Sequence, residues 1–198
     1  LDELINAEMS AFFTPELYSV TTAALLHSFS DCLNTTILAI VLHVFRILRA
    51  GLIERFIGAL KSRINAHQER CQHEGYQVSP TDLRYVWVRE VGQSGKYHYH
   101  VAVFVNKDTF NALGDYSKRD NNLGSYISDA WLSALGLLDF PEYRTLVSFT
   151  NTPHYLKRLR QDRFERQRQE LLSHLGYFAK ERTMEYSKEE RSFGGSIK

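Results

Sequence analysis

Glu90, His98 and His100 are the residues of this chain whose types and spacing best suit chemistry. They stand in RYVWVREVGQSGKYHYHVAVFV, from Arg84 to Val105, where two apolar runs flank GQSGK. Two glycines in a short polar loop between β-branched and aromatic segments predict a hairpin, with strands over Arg84–Val91 and Tyr97–Val105. A turn centred on Ser94 sets Glu90 opposite His98 and Val88 opposite His100. Alternation then brings both imidazoles and the carboxylate to one face, and the Cβ atoms of facing residues lie about 4.5–5.5 Å apart. One carboxylate and two imidazoles form a mixed hard and borderline donor set. It suits Mg²⁺, Mn²⁺ or Zn²⁺ and leaves coordination positions for water and substrate oxygens. A closed zinc site takes four protein ligands, and no cysteine is near these three. The same residues also fit a hydrogen-bonded strand surface, with Glu90 accepting from one imidazole and no ion between them.

A second candidate lies downstream in GYFAKER, where Lys180 follows Tyr177 by three residues. On a helix the two sit about 60° apart, away from the apolar stripe of Phe164, Leu171, Leu175 and Phe178. A phenol of ordinary pKa near 10 is a poor nucleophile at neutral pH. A cation beside it favours phenolate and would help it attack phosphorus. Tyr155 and Tyr186 compete for the same role in weaker settings, and a surface Tyr beside a surface Lys is the plain alternative.

These groups need elements to position them. Thr35 to Phe45 reads as a buried strand, and Leu52, Ile53, Phe56, Ile57, Leu60 and Ile64 make the stripe of an amphipathic helix from Leu52 to Ala66. A second helix is expected from about Ser125 to Leu135, a short strand over Thr145–Thr150, and a long helix from about Tyr155 to Lys180. Helices mixed with an antiparallel hairpin indicate an α+β fold, an antiparallel sheet covered by helices, rather than a doubly wound parallel sheet. No glycine-rich phosphate loop appears, so a nucleotide cofactor is not indicated.

The chain has 198 residues, 43% of them hydrophobic, enough for one domain with a substantial core. No run of eighteen apolar residues occurs, since TTILAIVLHVF is soon broken by Arg46 and Arg49, and no membrane partner is expected. Residues 1–34 lack the pattern of a secretory leader. Cys32 and Cys71 are too few for a disulfide framework. The expectation is a cytoplasmic protein, starting at Leu1 as a piece of a longer chain. Net charge is only +1, but Tyr155–Arg182 holds eight Lys/Arg against four Asp/Glu. That excess could attract phosphate, or it could simply be the ion-paired solvent face of a helix.

Glu90, seven residues, His98-Tyr99-His100, then a helical Tyr177 and Lys180, resembles the HUH endonucleases of the replication-initiator class. WVREVGQSGKYHYHVAVFVNKD and LGYFAKER are similar to inovirus-type replication proteins and their prophage YagK/YfjJ-like relatives, from about Thr35 to the RSFGGS tail. The resemblance divides the chain into an N-terminal segment, residues 1–34, and an HUH endonuclease-like domain, residues 35–198. It implies a ferredoxin-like or palm-like antiparallel sheet, with the histidines on a central strand and the tyrosine helix beside them. By the same resemblance His98, His100 and Glu90 hold Mg²⁺ or Mn²⁺. Tyr177 attacks a phosphate of single-stranded DNA at a replication origin, forming a 5′-phosphotyrosine link and freeing a 3′-hydroxyl that primes rolling-circle replication. Lys180 assists, and Lys157, Arg158, Arg163 and Arg166 hold the DNA backbone, with a host helicase or polymerase as further partners. The alternatives are a non-cleaving prophage regulator that binds DNA with the same fold, and a metal phosphoesterase in which water attacks.

Overall fold

The computed structural model describes residues 35–44, 50–92, 95–149, 154–156, 166–167 and 191–196. In chain order they form β1 (Thr35–His43), α1 (Leu52–His73), β2 (Arg84–Val91), β3 (Tyr97–Asn106) and α2 (Leu123–Leu135). A 3₁₀ helix (Pro141–Leu146), β4 (Val147–Phe149), β5 (His154–Leu156) and β6 (Phe193–Gly195) follow. The strands make one six-stranded sheet in the order β4-β1-β3-β2-β6, with β5 also pairing β1. Every pairing is antiparallel, and the α+β expectation holds.

Alternation along the strands divides the sheet into two faces. Leu38, Ile40 and Leu42 of β1 join Tyr99, Val101, Val103 and Val105 of β3 in the main core. Against them α1 lays Leu52, Phe56, Leu60 and Ile64, a four-residue spacing that keeps one stripe inward, each at most 1% exposed. Trp131 of α2 is fully buried and meets Phe56 edge to face, with ring centroids 5.8 Å apart. Both helices therefore cover the odd-numbered side chains of β3. His98 and His100, being even-numbered, emerge on the other face.

Local chemistry fixes where the helices end. Asn122 caps α2, its side-chain oxygen accepting from the Ser125 amide at 2.8 Å. Gly136 stops it in the left-handed region at φ 74°. The helix expected over residues 52–66 runs on to His73. Its added turns are polar and bury little, which apolar periodicity cannot register. They hold by other bonds: Gln68 brackets the Thr81 backbone, accepting from its amide at 2.8 Å and donating to its carbonyl at 3.2 Å. Arg70 donates to the Tyr126 hydroxyl at 2.8 Å.

Two expectations need correction. The strand expected from Thr145 starts at Val147, because Pro141 opens a 3₁₀ turn that extends to Leu146. Tyr155, expected to open the long helix, lies in β5 opposite Thr36, where pairing with β1 overrides helical patterning. Leu156 likewise belongs to β5, Arg166 and Gln167 are helical, and the remaining positions of that helix lie outside the described residues.

The RSFGGS tail has a physical task on the far side of β2. Val86, Trp87 and Val88 pair with Gly195, Gly194 and Phe193, and the Arg89 amide donates to the Ser192 carbonyl at 2.7 Å. A Cβ at position 194 would come within 2.9 Å of three indole atoms of Trp87, so only glycine lets the backbone approach. The strand carrying Glu90 is thus held from both sides, by β3 and by β6. Among the described residues no helix is long and apolar enough to cross a membrane.

Candidate metal centre

The hairpin register is the one expected: Glu90 pairs with His98 and Val88 with His100. Its polar connection is closed by the Gly92 amide donating to the Lys96 carbonyl at 2.8 Å, with Gly95 at φ 73°. β3 lies in the middle of the sheet between β1 and β2, which matches the central strand implied for the histidines.

Both imidazoles turn Nε2 toward the same carboxylate oxygen. Glu90 Oε2 lies 3.2 Å from His100 Nε2 and 3.4 Å from His98 Nε2. The two rings are 5.0 Å apart and steeply inclined, at 71°. The Glu90 side chain is 6% exposed, that of His100 13% and that of His98 17%, so the carboxylate forms the floor and the imidazoles the rim. Charge-assisted hydrogen bonds between nitrogen and carboxylate run about 2.7–2.9 Å, shorter than either separation here. Ligands bound at 2.0–2.2 Å to one ion stand about 3.0–3.5 Å apart in neighbouring positions, which both separations match. One ligand atom from each residue falls within 4.8 Å of the others, and among the described residues no other such group of three occurs. The donor set therefore fits a divalent cation. A buried carboxylate costs several kcal/mol unless an opposite charge offsets it, and a cation at this point would do so.

His43 was not among the sequence candidates. It ends β1 directly opposite His98, with ring centroids 6.0 Å apart, and its Nε2 lies 3.4 Å from the Ser148 hydroxyl of β4. Its carbonyl accepts from the buried Trp131 indole at 3.0 Å. The run ILAIVLHVF looks uniformly apolar, and only the β1–β3 register brings its one histidine to the site. Tyr177, Lys180, Lys157, Arg158 and Arg163 lie outside the described residues. Arg166 is helical and exposed.

Although His43 is exposed as a whole, partial desolvation of its ring where it lies against the sheet, followed by the charges of His98 and His100, holds its pKa below the ordinary imidazole value. Burial, then Arg70, does the same at His67. Below about pH 6.5 the unfolded chain binds these protons more readily than the native one. Their contribution to stability is accordingly present above that pH and is lost as pH falls. The urea midpoint is expected to drop between pH 7.5 and pH 5.5, and the His67→Gln variant to show a shallower drop.

Comparisons with known proteins place these features among relatives. The family described as the YagK/YfjJ C-terminal domain matches residues 29–196. YfjJ of Escherichia coli strain K12 is 34% identical over 149 residues, covering 74% of this chain and 71% of its own. YagK of the same strain is 33% identical over 149 residues, covering 75% and 71%. Among solved structures, the N-terminal nuclease domain of the minute virus of mice non-structural protein-1 is similar over 70% of this chain and 73% of that one. At 15% identity and a TM-score of 0.31, that likeness carries no argument.

Proposed function

The chain belongs to the YagK/YfjJ C-terminal domain family, and on that premise we propose that it is a metal-dependent enzyme that nicks and rejoins single-stranded DNA at a replication origin. The observation that carries the proposal is the convergence of His98 and His100 on Glu90 Oε2, with the imidazoles at the open rim. Glu90, His98 and His100 would hold Mg²⁺ or Mn²⁺, which supplies Lewis-acid polarisation and orientation of a phosphate.

The Tyr177 hydroxyl gives up its proton and attacks the scissile phosphorus. The bond to the 3′ oxygen breaks, the phosphate stays on the 5′ side as a phosphotyrosine, and the leaving oxygen takes a proton to become a 3′-hydroxyl. Lys180 stabilises the phenolate and relays that proton. Attack by a 3′-hydroxyl on the phosphotyrosine reverses the step and rejoins the strand. Lys157, Arg158, Arg163 and Arg166 contact the backbone phosphates. The freed 3′-hydroxyl is the primer from which a host polymerase would start a rolling-circle round.

The test uses single-stranded DNA spanning the locus that encodes the chain, labelled at its 3′ ends and incubated with the protein and Mn²⁺. A labelled protein band on a denaturing gel is expected, absent in EDTA and absent with Tyr177→Phe. An adduct that persists in Tyr177→Phe would reassign the nucleophile. Tight DNA binding with no cleavage would select a non-cleaving DNA-binding regulator.

A further inference from the structure

The groups that surround the three candidate ligands suggest where the DNA lies. Across the sheet, Glu90 of β2, His98 of β3 and His43 of β1 are paired neighbours in one row. Exposure rises along that row, from 6% at the Glu90 side chain to 17% at His98, and His43 is exposed. The centre therefore opens toward β1. The next strand out, β4, places Ser148 opposite Val41 on this same face, with its hydroxyl 3.4 Å from His43 Nε2.

Apart from the buried Thr35 at its start, the rest of the β1 surface here is apolar. Ile37, Ala39 and Val41 precede His43 on this face, and Ile37 is buried. An exposed imidazole at the end of that row adds nothing to the core. Its backbone is nonetheless fixed, through the Trp131 indole on its carbonyl and through the pairing with His98. His43 is thus a positioned donor, beside the candidate ligands but outside their cluster.

Resting on the nicking reading, we propose that His43 and Ser148 together bind a non-bridging oxygen of a DNA phosphate held over the open side of the metal centre. An imidazole N–H and a hydroxyl about one hydrogen bond apart can both donate to a phosphate oxygen, as side chains of these types do in DNA complexes. The pair would fix the strand's path from β3 across β1 toward β4, a direction the three candidate ligands cannot set by themselves.

The test measures two equilibria separately on the full chain and on His43→Ala, His43→Gln, Ser148→Ala and His98→Ala. Mn²⁺ binding is followed by electron paramagnetic resonance, and binding of a fluorescein-labelled single-stranded oligonucleotide from the encoding locus by anisotropy in Mn²⁺. His43→Ala is expected to keep Mn²⁺ affinity within about two-fold while weakening the oligonucleotide roughly ten-fold, the scale of one lost hydrogen bond to a charged group. Ser148→Ala should weaken it about three-fold, and His43→Gln, which keeps an N–H donor, should recover much of the loss. Unchanged oligonucleotide affinity in His43→Ala overturns the inference. So does a loss of Mn²⁺ affinity as large as in His98→Ala, which would make His43 a ligand. Failure of the nicking reading has a different signature: no adduct from the wild-type chain, with oligonucleotide affinity still dependent on His43.

Discussion

Glu90→Ala is expected to weaken Mn²⁺ binding at least about 100-fold. Loss of a residue that merely orients a metal ligand costs about 10–100-fold, and Glu90 supplies the point on which both imidazoles converge, at 3.2 and 3.4 Å. It also supplies the only negative charge of the candidate set. Glu90→Gln keeps the shape and one oxygen but not the charge, so its affinity should fall between alanine and wild type. Titration followed by electron paramagnetic resonance gives the affinities directly. Thermal unfolding gives an independent reading, because an ion bound only by the native state adds about 2.7 kcal/mol at 100 times its Kd. The wild-type melting temperature should therefore rise with Mn²⁺ and fall back in EDTA, whereas Glu90→Ala should respond to neither. Wild-type affinity within three-fold in Glu90→Ala would remove the carboxylate from the site.

The clustering of Glu90, His98 and His100 was legible in the sequence because all three sit on one hairpin. A turn with glycines at Gly92 and Gly95 fixes the register, and register with alternation fixes the face, so residue spacing alone gave the Glu90–His98 pairing. His43 was not legible. It reaches the site through β1, whose pairing with β3 joins residues more than fifty positions apart and leaves no periodic trace in the chain. The same contrast applies to the helices. The inward stripe of α1 announced the helix as far as Ile64, but the turns ending at His73 depend on Gln68 meeting Thr81 and Arg70 meeting Tyr126. Tyr155 went wrong for a related reason. Its local sequence favours a helix, while the edge of β1 at Thr36 offers backbone partners that make it a strand.

Trp131→Ala carries the largest expected cost in stability, about 3–5 kcal/mol, the range for emptying a large aromatic from a closed core. Its side chain is fully buried, edge-on to Phe56 of α1 at 5.8 Å and to Tyr99 of β3 at 6.0 Å. Removing it leaves a cavity where both helices meet the sheet. It also strips the indole N–H from the His43 carbonyl, a bond of 3.0 Å that joins α2 to the end of β1. Trp131→Phe separates the two effects: most of the volume stays, the donor goes, and the expected loss is smaller, with about 1 kcal/mol of it from the hydrogen bond. Denaturant titration of the three proteins reads these differences, and a cost below about 1 kcal/mol for the alanine variant would contradict a closed core here. The hydrogen bond also has a local consequence at the candidate metal centre. In Trp131→Phe one anchor of the end of β1 is lost and the His43 backbone is held by its pairing with β3 alone, while Glu90, His98 and His100 keep theirs on β2 and β3. Mn²⁺ affinity in that variant should stay near wild type as single-stranded DNA affinity falls, the same separation expected from changing His43 itself.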